Sequence, residues 1–172
     1  MSVDAWDMKY VFVGLIFCLL LLLGNPQPAL ASIHKYPESA TQVMYRSQQS
    51  LRDDRDRAWQ LILFKRLKLG QLNSVHLRLV GFPGKTELAS TQPLKITARN
   101  GEVWAAVNLV ERLKLPANVG EYDLLPFISQ LDTDSPLQLE LPLQNERVAK
   151  LMVPPFVVRE WRSLMDKVDI QL

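Results

Sequence analysis

Short runs of alternating hydrophobic and polar residues predict that the middle of the chain forms antiparallel β-strands. In Ser74–Val80 the odd-numbered positions are apolar, whereas the even-numbered ones include His76 and Arg78. Because successive side chains of a strand point to opposite faces, this segment predicts a strand with one buried and one polar face. Ala58–Phe64 is short and almost entirely apolar, which is typical of a strand buried on both faces. The same criteria predict strands at Gln42–Leu51, Leu137–Leu143 and Arg147–Val153.

The dipeptide Asn100-Gly101 gives the strongest local signal, a tight hairpin between two alternating segments. Asn-Gly favours a two-residue type I′ turn, because both of its residues tolerate a positive φ. This turn pairs Arg99 with Glu102, and it therefore places Thr97 opposite Trp104. Trp104 then lies on the polar side of the hairpin, where it either packs under a helix or forms an exposed interface anchor. Burial is the favoured interpretation, because large apolar side chains are usually buried.

Three segments have apolar residues at helical spacing. Val107–Leu115 and Glu121–Leu131 predict short helices. After Pro154-Pro155, an apolar stripe from Val157 to Val168 predicts an amphipathic helix that covers a core. The chain is therefore predicted to be mostly β (α+β), with one or two short helices and a C-terminal amphipathic helix. Two architectures fit this pattern, a single antiparallel sandwich and a partly open barrel.

The N-terminal hydrophobic segment is typical of a secretory signal peptide. A helix over Tyr10–Leu23 would be about 21 Å long, which is short of the roughly 30 Å hydrocarbon core of a bilayer. The small residues Ala29 and Ala31 match a signal-peptidase site and predict cleavage between Ala31 and Ser32. A retained membrane anchor is the alternative. A start at Met8 would remove two acidic residues and leave the basic end that signal peptides usually have.

The chain therefore divides into three predicted parts. Residues 1–31 are the signal peptide, residues 32–41 form a flexible lead-in, and residues 42–172 form a single mostly β domain. This division implies that the protein is exported.

Composition adds mainly exclusions. The chain has 172 residues, with 20 Lys and Arg against 18 Asp and Glu, and its net charge of +2 does not indicate a nucleic-acid-binding protein. The single cysteine, Cys18, lies in the N-terminal hydrophobic segment, which excludes an internal disulfide and a cysteine-rich metal site. The sequence contains no glycine-rich phosphate loop, no Gly-x-Ser-x-Gly elbow and no His-Glu-x-x-His motif. We therefore expect a protein that is not an enzyme.

The predicted cleavage site leads to one metal-binding hypothesis. Processing after Ala31 would leave Ser32, Ile33 and His34 at the N-terminus, with a free amine, two amide nitrogens and an imidazole. Nitrogen ligands in a square plane suit Cu(II) and Ni(II). The alternative is an N-terminus in which the third residue happens to be histidine. Absorbance titration with Cu(II), with and without His34→Ala, distinguishes a copper-binding N-terminus from this alternative. No other cofactor is expected.

Basic residues lie at both ends of the strand predicted from Ala58 onward. Such a patch could meet an anionic membrane surface or an acidic partner. The alternative is that these charges discourage edge-to-edge aggregation of strands. Asp53, Asp54 and Asp56 alternate with arginines, which favours a solvated turn over a calcium site. The interface candidates are Trp104, His76, Arg78, Arg57, Lys65, Arg66 and Lys68.

Four phrases of the sequence are distinctive. They are QVMYRSQQSLRD at Gln42–Asp53, RAWQLILFKR at Arg57–Arg66, LRLVGFPG at Leu77–Gly84 and VPPFVVREWR at Val153–Arg162. Together they resemble a family of small exported cyanobacterial proteins known only as a domain of unknown function, over most of residues 42–172. The resemblance implies a photosynthetic bacterium and a location in the periplasm or the thylakoid lumen. It implies no activity, substrate or catalytic residue.

We therefore expect an exported, non-catalytic binding or accessory protein. From its compartment and its resemblance, it would assist a membrane (photosynthetic) complex from the lumenal or periplasmic side. The alternative is a β-barrel carrier of a lipid or pigment, because Ala58–Phe64 and the four leucines of Leu137–Leu143 would suit an apolar interior. A hydrolase is a third alternative, which would need a carboxylate such as Asp123 to lie beside His76. The expected partner is a membrane protein complex, with no nucleic acid and no membrane contact except through an uncleaved signal.

Overall fold

The computed structural model describes residues 33–168, and these form two antiparallel β-sheets with helical segments between and after the strands. In spatial order the first sheet consists of β1 (His34–Ser39), β2 (Gln42–Arg52), β3 (Ala58–Lys68), β4 (Gln71–Val80) and β7 (Val119–Asp123). The second sheet consists of β6 (Val103–Ala106), β5 (Leu94–Ala98), β8 (Leu137–Pro142) and β9 (Val148–Val153). The helical segments are α1 (Val110–Leu113), a 3-10 turn (Ile128–Gln130) and α2 (Pro155–Met165).

The predicted mostly β fold with a C-terminal amphipathic helix is confirmed. One hydrophobic core joins the inner faces of both sheets, and it contains Leu63 and Leu77 from the first sheet and Leu139 and Leu151 from the second, all fully buried. Each such side chain contributes roughly 1.5–3 kcal/mol by burial. The two sheets do not close into a barrel, so the chain forms the sandwich of the two predicted architectures. Helix α2 covers this core with Val157, Val158, Trp161 and Leu164.

The first sheet has the side-chain alternation predicted for its strands. In β4, Val75, Leu77 and Leu79 face the core, whereas His76 and Arg78 lie on the outer face. In β3 the prediction of burial on both faces holds only in the C-terminal half. There Leu63 is buried on the core side, and the next residue, Phe64, is also buried, with 3% of its surface exposed, although it lies on the outer face.

The helix predicted at Glu121–Leu131 is wrong. Residues Val119–Asp123 form β7, which pairs with β4, and only the 3-10 turn at Ile128–Gln130 is helical. The helical spacing of the apolar residues reflects a strand followed by a turn, and backbone pairing with a strand distant in sequence overrides the local pattern. The helix predicted at Val107–Leu115 is shorter in the structure, where only α1 is helical.

The predicted hairpin exists, but its register is shifted by one residue. The Gly101 amide donates to the Ala98 carbonyl and the Ala98 amide donates to the Glu102 carbonyl, which encloses a three-residue loop. Gly101 has a φ of 89°, as expected for a turn that ends in a left-handed bulge residue. Ile96 therefore pairs with Trp104. A shift of one residue moves a side chain to the other face of a strand, so Trp104 lies on the core side.

The structure places strand β1 in the segment expected to be a flexible lead-in. His34–Ser39 pairs with β2 and forms an edge of the first sheet. The predicted signal peptide, its alternative start at Met8 and the cleavage site between Ala31 and Ser32 lie outside the described residues. Within residues 33–168, no helix has both the length and the apolar character needed to cross a bilayer.

Candidate functional site

The outer face of the first sheet contains a connected group of charged, polar and aromatic side chains. Strand pairing places Arg46, Phe64 and His76 side by side on β2, β3 and β4. It also places Arg78 beside Glu121, across β4 and β7. We call this surface the arginine face; it comprises Tyr36, Glu38, Arg46, Phe64, Arg66, His76, Arg78 and Glu121.

Glu121 is the buried anion of the arginine face, with 2% of its surface exposed. Its Oε1 lies 2.8 Å from His76 Nδ1, and its Oε2 accepts hydrogen bonds from Arg78 Nε at 2.8 Å and Nη2 at 2.6 Å. Burial alone would raise the pKa of Glu121. The hydrogen bonds from His76 and Arg78 outweigh burial and hold that pKa below its ordinary value of 4.5. Glu121 is therefore a stable carboxylate that fixes both basic side chains.

The backbone around Glu121 fixes its position on β7. The edge of β7 that faces away from β4 is hydrogen-bonded to the segment before α1. There the Leu109 amide donates to the Glu121 carbonyl at 2.7 Å. The neighbouring Gly120 allows the ring of Tyr122 to lie close against the strand. A Cβ at Gly120 would lie 2.8 Å from Tyr122 Cε2 and Oη.

Phe64 is buried on this outer face by basic side chains instead of by another apolar layer. The guanidinium carbons of Arg66 and Arg78 lie 4.7 Å and 5.4 Å from the centre of the Phe64 ring. The His76 ring meets it edge-on, with 5.6 Å between centroids. Cations over an aromatic face are attracted by the ring quadrupole, so Phe64 orders the two guanidinium groups.

Strand β1 completes the arginine face at its other side. Arg46 Nη2 donates to Tyr36 Oη at 2.8 Å, and the Arg46 guanidinium carbon lies 4.7 Å from the centre of the Tyr36 ring. Arg66 Nε donates to both carboxylate oxygens of Glu38, at 3.1 Å and 3.0 Å. Arg46 Nε is buried and has no hydrogen-bond partner within residues 33–168. The face therefore holds three arginines in fixed positions.

The His76–Glu121 pair has part of the geometry of a general base. Glu121 is the carboxylate that contacts the His76 ring. Asp123, the carboxylate expected beside His76, lies directly opposite it in the pairing of β4 with β7, but its side chain accepts a hydrogen bond from the Leu125 amide at 3.0 Å. Among the described residues, no hydroxyl group hydrogen-bonds to His76 and no group of three metal ligands occurs. Within the described residues the arrangement therefore fixes the imidazole against a carboxylate but places no nucleophile in hydrogen-bonding reach of it.

The sequence matches the DUF3122 family, described as proteins of unknown function, over residues 31–164. The chain belongs to the DUF3122 family. The matched region includes every strand of both sheets and the whole arginine face. No curated protein and no solved structure matches this DUF3122 chain significantly.

Of the interface candidates, the fold brings together His76, Arg78 and Arg66 on the arginine face of this DUF3122 domain. Lys68 lies on the same side at the exposed end of β3. Lys65 faces the core instead, because adjacent residues of a strand point to opposite faces. It is 4% exposed, and its Nζ donates to the carbonyls of Met165 and Lys167.

Arg57 lies in the turn between β2 and β3, where its Nε donates to Asp53 Oδ2 at 2.7 Å. The solvated turn expected at this point is wrong for Asp53, which is 7% exposed. Its carboxylate accepts hydrogen bonds from the Arg55 and Arg57 amides and from Trp59 Nε1. Arg57 and Asp53 therefore stabilise the turn.

Trp104 lies on the second sheet, apart from the arginine face. Its ring stacks on Phe127, with centroids 5.7 Å apart and an interplanar angle of 3°. Its Nε1 donates to Gln130 Oε1 at 3.0 Å. Trp104 is half-buried, and it lines a cleft of about 330 Å³ beside the β5–β6 loop.

The copper hypothesis stays a prediction. Ser32 lies outside the described residues, whereas Ile33 is half-buried beside the core and His34 is the first residue of β1. The His34 ring centre lies 6.2 Å from that of Tyr36.

Sequence reasoning missed Tyr36, Glu38, Arg46, Phe64 and Glu121 as members of a site. Phe64 carried a usable signal, since it shares the even-numbered parity of Arg66 on one strand. Glu121 carried none, because its segment had the spacing of a helix and its partners come from a strand that is distant in sequence.

Proposed function

We propose that this DUF3122 protein is a non-catalytic binding protein whose arginine face docks onto an acidic surface of a partner protein. The observation that carries the proposal is the burial of Phe64 on the solvent side of a sheet beneath Arg66, Arg78 and His76. A sheet face that only meets water needs no such arrangement. Arginine and aromatic side chains are enriched at the centres of protein interfaces.

The arginines of this face keep hydrogen-bonding capacity for a partner. A guanidinium group has five N–H donors in a planar fork that fits a carboxylate. Within residues 33–168, Arg66 donates from Nε to the Glu38 carboxylate, and Arg46 donates from Nη2 to Tyr36 Oη. Their remaining donors suit the carboxylates of an acidic surface. Because the groups are already ordered, little side-chain entropy is lost on binding.

The setting of this binding role is part of the proposal. The sequence of the N-terminal segment supports export, and the resemblance noted for Gln42–Asp53 and three other phrases supports a cyanobacterial origin. The protein would then act in the periplasm or the thylakoid lumen. There it would assist a membrane (photosynthetic) complex, with an acidic lumenal or periplasmic surface of that complex as its partner.

The test compares two double variants of the tagged full chain in the cells that produce it. Arg46→Gln with Arg66→Gln removes two guanidinium groups from the arginine face. Lys95→Gln with Lys150→Gln removes the same charge from the outer face of the second sheet. Mildly solubilised membranes are run on native gels, and the tagged band is identified by mass spectrometry together with its N-terminus.

We expect the wild type and the lysine variant to migrate with a larger complex. The arginine variant should migrate with it at least about tenfold less, and added salt should weaken the association. Co-migration that is unchanged by the arginine substitutions would contradict the proposal, as would a monomer in every fraction.

Neither alternative function has an observation of comparable weight. The interior proposed for an apolar-ligand carrier is occupied by packed side chains such as Leu63, Leu77 and Leu139. A hydrolase would use the carboxylate found beside His76, which is Glu121, but it would also need a nucleophile in hydrogen-bonding reach of the imidazole.

A further inference from the structure

The cleft beside the β5–β6 loop combines an aromatic ring with unused polar groups. Its walls come from the hairpin loop and from the segment that leads from the 3-10 turn into β8. Its volume of about 330 Å³ lies at the lower end of the range for small-molecule sites. It is separate from the arginine face, since its residues lie on the second sheet and its flanking segments.

Trp104 forms the apolar part of the cleft. Phe127 stacks against one side of its ring, and Gln130 holds its indole N–H. Both contacts fix the ring in one orientation. Trp104 nevertheless stays half-buried and lines the cleft with its remaining surface. A fixed aromatic ring at the wall of a cleft offers an apolar platform with a defined direction.

Two charged side chains at the rim of the cleft have no partner in the described part of the chain. Neither the Asp132 carboxylate nor the Arg99 guanidinium forms a hydrogen bond or ion pair within residues 33–168. Glu102 is a second carboxylate of the rim, and it accepts one hydrogen bond from Asn100 Nδ2. Carboxylates outnumber the single guanidinium, so the rim disfavours an anionic ligand and offers strong acceptors for hydroxyl groups.

We propose that this cleft binds one or two neutral sugar rings of a saccharide. A pyranose ring has C–H groups on its faces and hydroxyl groups around its edge. Its face would stack on Trp104, and its hydroxyl groups would donate to Asp132 and Glu102 and accept from Arg99. This ligand class matches the apolar wall and the polar rim at the same time, and the site is independent of the partner proposed for the arginine face.

The experiment uses the indole N–H resonance of Trp104 in ¹⁵N-labelled protein. The full chain is purified without sugar-based detergents and titrated with maltose, cellobiose and chitobiose. We expect at least one of these disaccharides to shift the Trp104 resonance with a dissociation constant of about 1 mM or below. The resonances of the buried Trp59 and Trp161 should stay in place and serve as internal controls.

Two variants locate the binding. In these variants binding is followed by the backbone amide resonances of Asn100 and Glu102, which line the cleft, because Trp104→Ala removes the indole signal. Trp104→Ala should raise the dissociation constant by at least about tenfold, and Asp132→Ala should raise it about threefold or more. Asp132 is exposed and unpaired within the described residues, so its substitution tests the cleft even if Trp104→Ala fails to fold. Val103→Ala, on the opposite side of the same strand, should bind as the wild type does.

Three results would overturn the proposal. One is that none of the three disaccharides shifts the Trp104 resonance at concentrations up to about tenfold above the expected dissociation constant. The second is that a disaccharide binds equally well to Trp104→Ala or to Asp132→Ala. Loss of sugar binding in the Arg46→Gln, Arg66→Gln variant would place the ligand on the arginine face and would also count against the cleft.

Discussion

Single buried carboxylates fix the local geometry of this protein at two places. Asp53 receives four hydrogen bonds in the β2–β3 turn, and Glu121 receives three contacts on the arginine face. A buried charge is tolerated only when it is paired and hydrogen-bonded, and both residues meet this condition. The two carboxylates therefore make the stability of the protein sensitive to acid.

Asp53→Ala should lower the free energy of unfolding by roughly 2–4 kcal/mol, because it leaves Trp59 Nε1 and the Arg55 and Arg57 amides without their acceptor. Chemical denaturation at pH 7 measures this loss. Asp56→Asn is the matched control, since its ion pair with Arg52 is exposed to solvent. A loss no larger than that of Asp56→Asn would contradict the role of Asp53 in the turn.

Glu121→Gln should lower the free energy of unfolding by roughly 1–3 kcal/mol at pH 7. Burial raises the pKa of Glu121, but the hydrogen bonds from His76 and Arg78 lower this pKa by more than burial raises it. The folded-state pKa of Glu121 therefore lies below its unfolded-state pKa. The ionised form therefore stabilises the fold above about pH 4, and this contribution disappears as the pH falls through the folded-state pKa.

Denaturation of the wild type and of Glu121→Gln at pH 7, 5 and 3 tests this pH dependence. The difference between the two proteins should shrink at the lowest pH. The exposed Glu87→Gln serves as the control and should change stability little at any pH. A difference that stays constant from pH 7 to 3 would show that Glu121 does not act through its charge.

At the scale of elements, strand register and helix ends decide what each segment contributes. The three-residue hairpin loop turns Trp104 toward the core side, where a two-residue loop would have turned it away. Helix α2 ends against the first sheet, where Lys65 binds two carbonyls and Tyr45 Oη donates to the Val168 carbonyl at 3.1 Å. Carbonyls at a helix C-terminus have no partner within the helix, and cations there are favourable.

Lys65→Met should loosen the C-terminal turn of α2. The substitution keeps the apolar stem of the side chain but removes the ammonium group that binds the Met165 and Lys167 carbonyls, which costs about 1–2 kcal/mol. Hydrogen exchange should become faster at the end of α2 and stay unchanged in β4. Lys68→Met, at the exposed end of the same strand, is the control. Equal exchange in both variants would contradict this role of Lys65.

At the scale of the whole molecule, the two sheets share one core and are also joined through the backbone. An isolated bridge links Asp53 to Leu151, and the Asp54 amide donates to the Lys150 carbonyl at 2.9 Å. On the other side, a bridge between Asn108 and Tyr122 links the chain after β6 to β7. Such connections predict that the sheets unfold together as one cooperative unit.

Leu63→Ala in the first sheet and Leu139→Ala in the second should therefore shift the same unfolding transition. Both side chains are fully buried, and each substitution should cost about 2–4 kcal/mol through lost transfer energy and the cavity left behind. Fluorescence and circular dichroism should report one transition at one denaturant concentration. Leu72→Ala, at a side chain 44% exposed, is the control. Two separated transitions in either core variant would show that the sheets are independent units.

The fold class follows from local patterns that the sequence contains in full. Period-two alternation in Ser74–Val80 determines which side chains of β4 face the core, because a strand has no other way to bury Val75, Leu77 and Leu79 together. The stripe after Pro154 determines α2 in the same way. These features depend on neighbours within one element, so the sequence alone is sufficient to predict them.

The candidate sites depend on which strands pair, and only the tertiary structure decides that. Glu121 contacts His76 and Arg78 because β7 pairs with β4, which lies more than forty residues earlier in the chain. Local sequence patterns carry no information about contacts between segments so far apart. Trp104 lines its cleft because the hairpin loop has three residues instead of two. The sequence by itself determined most of the strands, the buried face of β4 and the C-terminal helix, whereas β1 and β7 form only by pairing with β2 and β4. Pairing, register and the assembly of the arginine face were decided by the fold, since they arise from contacts between segments whose own sequences do not encode their partners.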